Sequence, residues 1–183
     1  MSLFDRRCAQ NTIAQVPYAN VRSLACGFGP RAVDDFQMQH IAAEIRRGMA
    51  GGAVGLSSGL DYVSQCHATT DELVEACRPV VEFGGLYVTH IRYKKGLLPA
   101  LQEAVEIGRR SGVKVHISHL KAITPQVADE VLTFIDRTAR RDVDFSFDSY
   151  PYQHGSTLLN YLLPYEVWDD GPIAAMARLR DPA

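Results

Sequence analysis

The chain has 183 residues, 46% hydrophobic and 22% charged, with 19 Lys and Arg against 21 Asp and Glu and a formal net charge of −2. This is the composition of a soluble globular protein long enough to bury one core. The near-balanced charge forms no basic stripe for nucleic acid, and no apolar run approaches the roughly 20 residues of a membrane helix. Arg6 and Arg7 precede no apolar stretch, so no signal peptide is expected. Cys8, Cys26, Cys66 and Cys77 have neither CxxC nor finger spacing. They read as thiols of a reducing compartment, which implies a cytoplasmic protein.

A strand-helix alternation with a repeat of about thirty residues organises most of the chain. Strands are expected at 20–26, 53–58, 86–90, 113–119 and 143–149, with helices near 35–50, 70–83, 97–111 and 125–141. Thr70-Asp71-Glu72 supplies a capping residue and two acids at a helix start. Arg109, Arg110 and Gly112 close the third helix, and Thr124 followed by Pro125 opens the fourth. The implied fold class is α/β, built of repeated βα units around a parallel sheet. A closed eight-stranded barrel takes about 250 residues, so the pattern fits either part of a barrel or an open doubly wound sheet. Gly51-Gly52 precedes a strand, and Gly27-Phe28-Gly29-Pro30 lacks a third glycine, so no dinucleotide turn is formed.

The chemistry concentrates at strand ends. His90 closes Gly85-Leu86-Tyr87-Val88-Thr89-His90, and His119 closes Val113-Lys114-Val115-His116-Ile117-Ser118-His119. Alternation puts Leu86, Val88 and His90 on one face, and Val115, Ile117 and His119 on one face of the next strand. Each histidine would then cap a stack of apolar residues at the mouth of a parallel barrel, where the chemistry of such barrels is found. A metal-ligand pair and a pair of hydrogen-bonded structural histidines both satisfy that pattern. His116 falls on the opposite face from His119 and reads as helix-packing or structural; His40, His67 and His154 have no strand-end context, though His154 lies close enough to the rim to be a substrate-contact candidate.

Lys121 follows His119 by two residues and could meet a carboxylate. Asp148-Ser149-Tyr150-Pro151-Tyr152 ends the last strand at a turn that could line a pocket, followed by Gly155-Ser156-Thr157. Gly55-Leu56-Ser57-Ser58-Gly59-Leu60 reads as a strand-to-loop junction, and a serine-hydrolase elbow is not expected.

Five segments in order resemble the D-aminoacylase (N-acyl-D-amino-acid deacylase) family of the amidohydrolase superfamily. They are Gly51 to Leu60, Tyr87-Val88-Thr89-His90-Ile91-Arg92, Glu103 to Val113, Ile117-Ser118-His119-Leu120-Lys121, and Asp148 to Tyr152 with Gly155-Ser156-Thr157. The likeness runs from about residue 17 to residue 165. It implies that residues 1–183 form a single partial domain, incomplete at both ends, comprising about strands 3 to 7 of a TIM-type (β/α)8 barrel. It also implies metal-dependent hydrolysis of the amide of N-acyl-D-amino acids. His90 and His119 match the metal ligands on the fifth and sixth strands, for zinc or another divalent ion. Lys121, Tyr150 and Ser156 match positions that contact a small-molecule substrate.

The departures matter equally. The family's His-x-His pair is absent, and Cys26 lies on the wrong strand to serve as its cysteine ligand. The catalytic aspartate is expected beyond residue 183, leaving no catalytic residue in this chain. Where the family has an acidic loop after His90-Ile91-Arg92, this chain has Tyr93-Lys94-Lys95-Gly96, which suits an anionic acyl group or side chain. The isolated chain is therefore expected to be inactive, and to self-associate through exposed barrel edges. The competing reading is an open α/β-sheet binding or regulatory module with structural histidines.

Overall fold

A computed structural model describes residues 7–180; residues 1–6, Arg6 among them, and 181–183 lie outside that description. Five parallel strands follow one another in sheet order: β1 (Val16–Pro17), β2 (Gly55–Gly59), β3 (Leu86–His90), β4 (Lys114–Ile117) and β5 (Phe145–Phe147). Between them run α1 (Tyr18–Cys26), α2 (Asp35–Ala50), α3 (Thr70–Glu82), α4 (Leu97–Ser111) and α5 (Pro125–Phe134). A π-helical turn at Ile135–Ala139 extends α5 into the short α6 (Arg140–Asp142).

The helix boundaries follow from local chemistry. Asp34 and Gln37 form a capping box at α2. Thr69, one residue earlier than expected, caps α3 by accepting from the Glu72 amide at 3.1 Å. Thr124 accepts from the Val127 amide to start α5 with Pro125 in its first turn. Gly112 ends α4 at φ 82°, a left-handed conformation suited to glycine.

The strand expected at 20–26 is instead helix α1, and the true strand is the dipeptide just before it. Tyr18, Val21 and Arg22 are the buried residues, spaced three and four apart as a helix requires. Arg22 is the deceptive residue, because a charge in that window reads as an exposed strand position. It is fully buried, donating to Glu72 Oε1 at 2.7 Å and to the Ser64 carbonyl at 2.9 Å. Tyr18 donates its hydroxyl to the same Glu72.

Cross-strand pairing shows which way each residue points. Leu56 pairs with Tyr87, Tyr87 with Val115, and Val115 with Phe145. All four are buried in one cluster with Ile41 and Ile45 of α2, Leu73 and Val80 of α3, Leu101 and Ile107 of α4, and Val131 of α5. The other face carries Ser57, Val88, His116 and Ser146, none of them buried. Helices therefore cover one face only, the arrangement of a barrel segment; a doubly wound sheet would be covered on both. The packing also corrects two expectations: Val115 and Ile117 face the helices, while His116 points inward beside Val88.

Residues beyond β5 form two 3-10 turns, Leu159–Leu162 and Tyr165–Trp168, and then α7 (Gly171–Arg180). They close a second small cluster in which Trp168 and Ala175 are buried with Cys66. No helix among the described residues is long and apolar enough to cross a membrane.

Candidate metal centre

His90 is the last residue of β3, paired with Gly59 at the end of β2. The next residue but one after Gly59 is Asp61, so a carboxylate and an imidazole meet at the rim. His90 Nε2 lies 3.0 Å from Asp61 Oδ2. Tyr161 donates to the same oxygen at 3.3 Å, and Tyr165 donates to Oδ1.

The loop carrying Asp61 is held from below by Arg92. Its buried guanidinium pairs with Glu103 at 2.9 Å and donates to the carbonyls of Leu60, Cys66 and Ala68. Arg92 is thus an anchor for the loop after β2.

His119 reaches the same place by another route. The strand ends at Ile117, and His119 adopts φ 45°, a left-handed conformation uncommon for a residue with a Cβ. Asp148 holds it there by accepting the His119 amide at 2.6 Å, while the Tyr93 hydroxyl donates to the His119 carbonyl at 3.0 Å. Asp148 also bonds His116 Nε2 at 2.9 Å, and His116 Nδ1 meets Ser146 Oγ at 2.8 Å. His116 is therefore part of the scaffold under His119.

His90 Nδ1 and His119 Nε2 face one another at 3.3 Å. Two nitrogens bound tetrahedrally to one zinc ion at about 2.0–2.1 Å would be about 3.3 Å apart. The separation and the donor type fit two corners of a shared coordination shell. Among the described residues, no group of three or more His, Cys, Asp or Glu side chains is placed to hold a metal. His119 Nδ1 is buried without a partner.

Electrostatics keep the donors in usable form. Burial works to raise the Asp61 carboxyl, but hydrogen bonds from His90 and Tyr165 prevail and hold it below the usual carboxylate range. Asp148 is likewise lowered: burial opposes, and the bonds from His116 and the His119 amide outweigh it. Burial, then the neighbouring His90, lowers the His119 imidazole and favours its neutral, ligating form. Burial and the Asp61 charge push the Tyr161 hydroxyl up to about 12, so it stays a donor.

Of the residues named from sequence, His90, His119, Lys121 and Tyr150 gather at this rim. Lys121 Nζ lies 5.1 Å from the Tyr93 ring centre and 5.8 Å from that of Tyr150, and the Tyr150 ring is 6.4 Å from that of His119. Ser156 is exposed; its neighbour Thr157 bonds the Tyr62 hydroxyl at 3.0 Å, and the Tyr62 ring lies 5.0 Å from His90. Lys94 of the basic loop lies among the rim tyrosines. Its ammonium donates to the Leu163 carbonyl at 2.7 Å and sits over Tyr161 and Tyr165.

Asp61, Tyr161 and Tyr165 are the rim residues that sequence reasoning missed. Asp61 had a usable signal, a carboxylate just past a strand end; the tyrosines had none. Gly55-Leu56-Ser57-Ser58-Gly59 spells Gly-x-Ser-x-Gly, yet it lies wholly within β2 and makes no strand-to-helix elbow. A cavity of about 530 Å³ lies beyond Arg92 and Tyr165, lined by Cys66, His67, Glu103 and Asp169, and includes neither His90 nor His119.

No family model matches the chain. A D-aminoacylase of Alcaligenes xylosoxydans xylosoxydans is 36% identical over 155 residues, covering 82% of this chain and 32% of that protein. The structure of an N-acyl-D-glutamate deacylase from Bordetella bronchiseptica, complexed with zinc and a phosphonate inhibitor, superimposes with a TM-score of 0.76 at 32% identity, covering 82% of this chain and 33% of that one. A D-aminoacylase structure concerned with a binuclear metal center gives a TM-score of 0.67 at 33% identity, covering 73% and 29%. The chain spans about a third of the length of the relatives it matches. Over that third of their length, this chain is similar in sequence and in fold to D-aminoacylases and to an N-acyl-D-glutamate deacylase.

Proposed function

We propose that this chain is the portion of an N-acyl-D-amino-acid deacylase that supplies two ligands to a divalent metal, zinc being the ion in one solved relative. The observation that carries this reading is the approach of His90 Nδ1 to His119 Nε2 at 3.3 Å. When bound, the ion would polarise the scissile amide carbonyl and acidify a water.

The chain's own residues bind and orient. His90 and His119 offer imidazole nitrogens, Nδ1 of the first and Nε2 of the second. Lys121, between Tyr93 and Tyr150, meets the substrate carboxylate, and Tyr150 and Ser156 line the approach. The four tyrosines around His90 and His119 exclude water from one side of the pair.

With two donors converging and no third among the described residues, the chain alone binds but does not turn over. The sheet edges at β1 and β5, with Leu158, Leu159 and Leu162 exposed, favour self-association. Cys66 and Cys77, buried and in no disulfide, fit a reducing, cytoplasmic location.

Zinc titration against a chromophoric chelator tests the reading. Wild-type chain should bind zinc, and the His90→Ala/His119→Ala variant should lose it. The zinc-loaded chain should bind N-acetyl-D-amino acids over their L enantiomers, and Lys121→Ala should weaken that binding. Zinc binding unchanged by the double substitution would favour the structural-histidine alternative. Enzymatic turnover by the chain alone would refute its inactivity.

A further inference from the structure

We infer that Asp61 is a positioning residue for His90, deciding which ring nitrogen of that histidine faces His119; the inference rests on the metal-binding reading above and extends it. The Asp61 side chain is fully buried and receives His90 Nε2 at 3.0 Å on Oδ2, with Tyr161 on the same oxygen and Tyr165 on the other. An ionised carboxylate only accepts hydrogen bonds, so the proton of a neutral His90 resides on Nε2. The Nδ1 lone pair is then directed toward His119 Nε2, 3.3 Å away. The opposite tautomer would set the Nε2 lone pair against the carboxylate and point a proton at the shared position.

A purely structural role competes with this one, because Asp61 also ties down the 159–168 segment through its two tyrosines. The two roles make different demands. Anchoring the segment needs the tyrosine bonds; positioning needs only the bond to His90. Asparagine at this site keeps the size of the side chain but places an amide donor among three existing donors, which disfavours the Nε2–H tautomer.

The test uses the full chain, metal-free and labelled with ¹⁵N-histidine, at neutral pH. Long-range ¹H–¹⁵N spectra should show His90 as Nε2–H in the wild type and in Tyr161→Phe/Tyr165→Phe. In Asp61→Asn the population should move toward Nδ1–H, and zinc affinity should fall about 10–100-fold, the range for loss of an orienting partner. A wild-type His90 in the Nδ1–H form overturns the inference. So does an Asp61→Asn variant whose tautomer and zinc affinity both match wild type. If the tautomer moves as expected but His90→Ala/His119→Ala still binds zinc, positioning stands and the metal reading falls. If Asp61→Asn does not fold by circular dichroism, Asp61→Glu decides: wild-type tautomer with zinc affinity near wild type supports positioning, because the carboxylate acceptor is kept, and wild-type tautomer with zinc affinity lost overturns it.

Discussion

The rims of β3 and β4 deliver the same kind of side chain to the same point by opposite means. His90 is placed by regular structure: it is the last strand residue, 8% exposed, backed by Asp61 and by the Arg92 staple under the adjoining loop. His119 is placed by an irregularity. Its strand ends two residues earlier, and a left-handed residue held by Asp148 and Tyr93 swings the ring back to meet His90. The first rim is secured by burial and the second by hydrogen bonds to its backbone. Disturbing the first should therefore cost stability, and disturbing the second should cost geometry.

The sharpest break is at the first rim. Arg92→Ala removes the cation paired with Glu103 and leaves three loop carbonyls without donors, which should destabilise the chain by about 3–5 kcal/mol in urea unfolding. At the second rim the backbone conformation is tested by comparing two variants that both lose the ring. His119→Gly should be more stable than His119→Ala by about 1–2 kcal/mol, because only alanine carries a Cβ into the left-handed region. Asp148→Ala should cost only about 1 kcal/mol, since that side chain is 59% exposed and water can replace it. Its larger effect should be weakened zinc binding as the His119 turn loosens. The smallest change is Ser156→Ala, which should alter stability by no more than about 0.5 kcal/mol and leave zinc affinity unchanged.

The two rims also differ in how legible they were. Period-two alternation placed Leu86, Val88 and His90 on one face correctly, because that strand runs unbroken to the histidine. The same logic carried through Val115 and Ile117 brought His119 to this rim for a wrong reason. Those two face the helices, and the turn after Ile117 supplies the change of direction. No alternation pattern can show a left-handed residue that is not glycine.

Capping residues and a glycine marked three helices closely, since those signals are local. Helix α1 was hidden because its buried face includes Arg22, neutralised by Glu72 some fifty positions away. Asp61, Tyr161 and Tyr165 meet only through the fold, and their contacts span about a hundred positions of sequence.

X-ray absorption at the zinc edge of the metal-loaded chain bears most directly on the shared site. Two imidazole nitrogens should scatter at about 2.0–2.1 Å, and their signature should vanish in His90→Ala/His119→Ala. A zinc environment without imidazole, or one unaffected by removing both rings, would contradict a metal held between His90 and His119.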